Sequence, residues 1–191
     1  MDPMIGVSPP KRSSSAIEAA PSPAAATILI LLGLGALLAA LRIGSHMHLH
    51  MPGHQGLIRV AALMLAARVT RLPWAATIMA TGAAVVAGIS PVQGFDPTGS
   101  LEYLLCGLVI DSSNRLVPER QLHPIFMAAV GAAANATKPL ALWIIAAAGG
   151  FSFESLEHGL AYPLAMHLAF GAGAGIGAWM LWQGYEYARR E

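Results

Sequence analysis

From Ala25 to the last ten residues, apolar runs follow one another with almost nothing soluble between them. Such a chain leaves little room for a water-soluble domain. The chain is 55% hydrophobic and 11% charged, about half the charged share usual in soluble domains. Its length fits a single membrane domain. A net charge of +1, with no basic stripe interleaved with aromatics, gives no footprint for a nucleic-acid partner. The one cysteine, Cys106, sits inside an apolar run and has no internal disulfide partner.

The runs divide into six segments: 28–43, 57–69, 74–89, 101–110, 125–148 and 160–181. The expected fold is therefore an all-α membrane protein, a bundle of about six transmembrane helices. Residues 1–27, rich in Pro, Ser and Ala, read as a disordered cytoplasmic tail. Residues 28–188 form one membrane domain. Crossing a hydrocarbon core takes about 20 apolar residues, so the second and fourth segments are short. They are expected to be tilted, sheltered by other helices, or re-entrant.

Charge sets the orientation. With six spans, one face receives Lys11, Arg12, Arg68, Arg71, Arg115, Arg120, Arg189 and Arg190. The opposite loops hold His46, His48, His50, His54, Asp96, Glu154, Glu157 and His158, with Arg42 as the single loop arginine. Lys and Arg favour the cytoplasmic side. Both termini are then cytoplasmic, the histidine-rich loop is external, and the location is a bacterial-type inner membrane. A competing reading takes Lys11-Arg12 and the first apolar run as a signal peptide, cut near Ala39-Ala40.

Some polar groups fall inside the spans. Charges at that depth cost about 2.5–3.5 kcal/mol or more and usually face an interior. Arg59 lies just inside the second span, Glu102 and Tyr103 open the fourth, and His167 lies about two turns into the sixth. Asn135 and Lys138 sit on the outer half of the fifth and share a helix face. All fall at similar depth, which predicts an outward-facing pocket wall of Arg59, Glu102, Asn135, Lys138 and His167. The alternative is a packing network built on a pair such as Lys138 with Glu102, with Arg59 snorkelling to the interface. Asp111 reads as a helix-end or cytoplasmic contact.

Residues 46–54 read His-Met-His-Leu-His-Met-Pro-Gly-His. On extended backbone His46, His48 and His50 point to one side, and a turn at Pro52-Gly53 folds His54 back toward them. Imidazoles suit zinc, nickel, copper and cobalt, and the thioethers of Met47 and Met51 favour Cu(I). Three readings stay open: ligands for a transition metal, a cap over an organic substrate or haem, and a pH-responsive polar loop.

Small residues form stripes. Ala36 and Ala40 make a smooth groove on the first span. Gly171, Gly173, Gly175 and Gly177 make two overlapping pairs on the sixth. Such pairs let helices approach closely, within the bundle for the sixth span and equally well on a partner for the first. No nucleotide loop, nucleophile elbow or zinc-protease helix is present in the sequence. The chain is therefore expected to be no enzyme, to have no intrinsic cofactor and to lack an ATPase of its own.

Six spans, the Ala36-x-x-x-Ala40 pair, the polar loop 47–56 with Met-Pro-Gly-His-Gln-Gly, and the run 103–111 ending in Gly-Leu-Val-Ile-Asp together resemble the substrate-capture subunits of energy-coupling-factor importers. The resemblance covers roughly residues 28–185. It implies a bundle that binds a vitamin or a metal ion near its outer face, under the first outer loop. It implies docking through Ala36 and Ala40 on a transmembrane coupling subunit driven by cytoplasmic ATPase subunits. Cobalt- and nickel-specific members place a histidine beside an N-terminal methionine, whereas Met47-His48 here is internal. The alternative class is a stand-alone metal or proton-coupled carrier, with the intramembrane charges as a relay.

Overall fold

The structure, a computed structural model, describes residues 22–44, 52–70, 72–89, 97–116, 123–149 and 159–191. Among these, the regular structure is entirely α-helical, in six helices: α1 (Pro23–Gly44), α2 (Gln55–Val69), α3 (Ala75–Gly88), α4 (Pro97–Leu116), α5 (Pro124–Gly149) and α6 (Ala161–Ala188). Three of them, α1, α5 and α6, are long and apolar enough to cross a membrane. The shortness expected of the second segment holds, since α2 has 15 residues. The fourth apolar run is likewise short, although the helix that contains it, α4, runs for 20 residues. Glu102 and Asp111 interrupt its apolar pattern without interrupting the helix, because each finds partners on neighbouring helices.

Successive helices alternate in direction. Arg42, in the last turn of α1, reaches Gln55 at the start of α2 and Glu102 near the start of α4. Ser100 on α4 donates to the Ala84 carbonyl at 2.8 Å while Thr77 donates to Asp111, which makes α3 and α4 antiparallel and α1 and α3 parallel; α1 and α3 cross closely, with Met79 beside Gly35 and Leu32 beside Gly82. On α5 and α6, Gly131 faces Gly171 and Gly175, and Met127 faces Gly175. The C-terminal halves of α1, α3 and α5 therefore gather at one end of the bundle with the N-terminal halves of α2, α4 and α6.

The packing is intimate where residues are smallest. A Cβ on Gly175 would run into the Met127 carbonyl, and one on Gly131 into that of Gly171. The two glycine pairs of α6 thus divide: Gly171 and Gly175 pack on α5, while Gly173 and Gly177 have open space where a side chain would go. On α1 the inward face is Leu31, Gly35 and Ala39. Ala36 is half-buried and Ala40 is exposed.

The core is built from alanines, with Val60, Leu63, Met64, Cys106 and Ile110 among its larger members. Large apolar side chains point outward instead: Leu29, Ile30, Leu37 and Leu41 on α1, Ile144 on α5, Met180 and Leu181 on α6. Water would oppose this distribution, whereas lipid tails are as apolar as leucine and leave small residues to set helix contacts. The short α2 touches every other helix. It is the axial element, and the others shelter it.

One end of the bundle is closed by polar contacts. Asp111 on α4 accepts from the Thr77 amide and hydroxyl, both at 2.7 Å, and from the Ala76 amide at 3.3 Å. It caps α3 from another helix, satisfying amides that a helix start leaves without partners. Trp74, at φ 66, precedes α3 in the left-handed region. The Arg115 guanidinium stacks over its ring at 3.7 Å. Arg68 donates to Asn114 at 2.9 Å. Asp111 is thus the helix-end contact that the sequence suggests.

A candidate binding site at one end of the bundle

The opposite end holds a second polar cluster, buried deeper. Arg59 projects from the first turns of α2 and is 3% exposed. Glu102 projects from α4 and is 5% exposed. The two form an ion pair. Lys138 on α5 reaches the same carboxylate at 3.2 Å, and Arg42, in the last turn of α1, lies 3.7 Å from it. One carboxylate therefore faces three cations from three different helices.

Asn135 ties the cluster to the rest of the fold. Its side-chain oxygen accepts from Arg59 at 3.1 Å. Its nitrogen donates to the His167 carbonyl at 2.8 Å and to the Gly53 carbonyl at 3.3 Å. It is fully buried. The three bonds reach α2, α6 and the turn that leads into α2. Gly53 adopts φ 87, and a Cβ there would strike His167. A Cβ on Gly56 would occupy the space of the Asn135 amide. Glycine at both positions lets the turn lie directly on α5 and α6.

His167 donates through Nδ1–H to the Pro163 carbonyl, 2.8 Å away on its own helix. Tyr103 is buried, with the guanidinium carbons of Arg59 and Arg42 at 5.4 and 5.8 Å from its ring centre, within cation–π range. Pro139, inside α5 and buried, removes the amide that would bond the Asn135 carbonyl one turn back. The helix is thus modified where it meets the cluster.

Beside the cluster lies a cavity of about 230 Å³, lined by His54, Gln55, Arg59, Glu102, Lys138 and His167 together with prolines and Leu142. A second cavity of about 170 Å³ adjoins it across His54, Gln55 and Arg59, and is walled by Leu38, Leu41, Ile58 and Tyr103. It follows the seam between α1 and α2, which barely touch because α1 packs mainly on α3.

All five residues expected at the pocket wall, Arg59, Glu102, Asn135, Lys138 and His167, meet in this one cluster. Arg59 does not snorkel. The Lys138–Glu102 pair of the packing alternative is also present, alongside the cavity rather than instead of it. Of the four candidate metal ligands, His54 lines both cavities and meets Phe170 edge-on, with ring centres 6.5 Å apart. His46, His48 and His50 lie outside the described residues. Among the described residues no group of three or more His, Cys, Asp or Glu is placed to hold a metal ion.

Four contributors lie outside the pocket wall expected from the sequence. Arg42 reads as a loop residue in the sequence but belongs to α1, where it donates to Gln55 at 3.2 Å. Tyr103, beside Glu102, carried a signal in its position. Pro139, next to Lys138 in an apolar run, carried another, since an intramembrane proline needs neighbours to satisfy freed backbone groups. Gly56 carried none. Comparison with protein-family models, curated proteins and solved structures finds no match to this chain.

Proposed function

We propose that this chain is the substrate-capture subunit of an energy-coupling-factor importer in a bacterial-type inner membrane. In this reading all six helices cross, both termini are cytoplasmic, and the cavity opens to the outside beneath the histidine loop. The short α2 and α3 need not face lipid along their whole length, because the longer helices surround them. The capped end, with Arg68, Arg115 and the Arg189-Arg190 pair nearby in topology, is the cytoplasmic end favoured by positive charge.

One observation carries the proposal. Charged and amide side chains from α1, α2, α4 and α5 converge on one buried point, and that point borders a cavity. Packing alone calls for satisfied pairs; it does not call for space beside them. Concave sites with a few convergent polar groups on an apolar wall are the usual form of small-molecule pockets. The ligand is held without covalent chemistry, and release follows a rearrangement driven by the coupling subunit and its ATPases. Ala36 and Ala40, on the side of α1 turned away from its buried face, suit that subunit's docking.

The test is purification from native membranes without added ligand, followed by mass spectrometry of co-purifying subunits and bound small molecules. A coupling subunit with two ATPases, and uptake that stops when ATP hydrolysis is blocked, is the expected result. Uptake by the chain alone in proteoliposomes would establish a stand-alone carrier instead.

A further inference from the structure

The helices fall into two sets by how closely their backbones approach. Gly35 and Gly82 press α1 and α3 together, and Gly107 of α4 lies on Ala76 and Ala80 of α3, so α1, α3 and α4 form one set. Ser100 and Asp111 add polar contacts from α4 to α3. Gly131, Gly171 and Gly175 press α5 and α6 together, Gly56 seats α2 on Asn135, and α2 lies along α6, so these three form the other. None of these close approaches passes from one set to the other. Across the seam long side chains meet: Arg42 with Gln55, Arg59 and Lys138 with Glu102, and Arg68 with Asn114.

Both cavities lie on this seam. The smaller is lined by Leu41 and Tyr103 from the first set and by Gln55 and Ile58 from the second. The larger is lined by Glu102 from the first set and by residues of α2, α5 and α6 from the second. The sets are unequally joined: α4 packs against α5 and α2 against α3, whereas α1 and α2 barely touch. Close-packed interiors deform little, so motion is expected where packing is thin. Resting on the reading of this cluster as a capture site, we infer that the site opens by a rigid-body swing of α1, α3 and α4 away from α2, α5 and α6. The mouth lies between α1 and α2, the pivot lies at α4 and α5, and Glu102 is the latch. Hinged closure of two rigid bodies around a site between them is a known form of ligand-linked motion. Lys138, on the pivot helix α5, keeps the carboxylate when Arg59 lets it go, which spares a buried charge from standing alone.

Cys106 reports the swing without any added group. It is on α4, fully buried, and lies against the Arg59 guanidinium of α2, which places it at the seam. The experiment follows its alkylation by N-ethylmaleimide with intact-protein mass spectrometry, on the full chain in phosphatidylcholine nanodiscs. Gln55→Ala removes a bond across the mouth from an exposed position. It speeds labelling about threefold or more and lowers the unfolding midpoint less than Asp111→Ala does. Glu102→Gln removes the latch and speeds labelling about tenfold or more. Asp111→Ala, which loosens α3 from α4 within one set, leaves the labelling rate at wild type. Leu41→Cys with Ile58→Cys, both at exposed positions beside the mouth, joined by a short bismaleimide before labelling, slows Cys106 below the wild-type rate. If Glu102→Gln fails to fold, Gln55→Ala and the crosslink carry the test.

Equal labelling rates in wild type, Gln55→Ala and the crosslinked protein overturn the inference. So does an Asp111→Ala rate as fast as that of Glu102→Gln, since Cys106 would then be exposed by loosening of the whole bundle. These results separate from the importer reading. Gated labelling without ATPase-dependent uptake retains the swing and removes the importer. ATPase-dependent uptake undiminished by the crosslink between α1 and α2 does the reverse.

Discussion

Arg59 and Asn135, 76 positions apart in sequence, meet at 3.1 Å in the interior of the bundle. The bond does two things. It fixes one arm of the guanidinium while another pairs with Glu102. It also joins α2 to a residue that simultaneously holds α6 and the turn before α2. Asn135 is therefore the positioning residue of the site.

Asn135→Ala is expected to strand the guanidinium arm and two backbone carbonyls in the interior, costing about 3 kcal/mol of stability. Asn135→Asp is expected to retain the bond from Arg59 and lose both donations to carbonyls. Unfolding in a graded detergent mixture measures both. A wild-type midpoint for Asn135→Ala would show that these bonds contribute nothing.

Glu102 is the shared anion for Arg59, Lys138 and Arg42. Removing one partner of a buried pair leaves an uncompensated charge and typically costs about 3–5 kcal/mol, whereas replacing both is far milder. Glu102→Gln is expected to be the more damaging single change, because it leaves three cations without their carboxylate. Arg59→Gln combined with Glu102→Gln should recover part of the loss. A double-mutant cycle reads the coupling directly, and additive losses would contradict it.

Much of this was legible because hydrocarbon makes polarity conspicuous. Arg59, Glu102, Lys138 and His167 stand out against apolar neighbours, and helical rise alone places them at one level. Their convergence in the plane of the membrane was not legible, since it depends on which helix lies beside which. The central position of α2 follows from how closely glycines let the other helices approach, and the sequence does not say which glycine of a stripe faces inward. Gly175 and Gly177 look equivalent in the sequence, yet only one meets a neighbour. Arg42 was misplaced because an arginine at the end of an apolar run reads equally as loop or last turn.

The same two glycines supply a test of the fold. A valine at Gly175 has no room against the Met127 carbonyl, whereas Gly177 faces open space. Gly175→Val is expected to destabilise the bundle by about 3 kcal/mol, the upper part of the range for overpacking. Gly177→Val is expected to stay near wild type. Equal effects on the unfolding midpoint would mean that α5 and α6 do not cross as described.

Asp111 separates stability from binding. It caps α3 at the end of the bundle remote from the cavity, holding two amides and a hydroxyl. Loss of a helix cap costs about 1 kcal/mol, up to about 2 where the contacts are buried. Asp111→Ala should therefore lower the unfolding midpoint and leave affinity at the Arg59 site unchanged. A matching loss of affinity would show that the two ends are coupled.

The alternation of helix directions gives the topology a direct test. The proposed six crossings would put Ser152 outside and Leu116 and Glu191 inside. Leu116 is 83% exposed at the end of α4, so a cysteine there is accessible from its own side. In a Cys106→Ala background, Ser152→Cys should react with a membrane-impermeant maleimide on intact cells. Leu116→Cys and Glu191→Cys should react only after the membrane is opened. The reversed pattern would invert the bundle and place the charged cavity on the cytoplasmic side, where it could not capture an external ligand. Labelling of both Ser152→Cys and Glu191→Cys from outside would mean that α6 does not cross, although its 28 residues at about 1.5 Å each exceed the thickness of a hydrocarbon core.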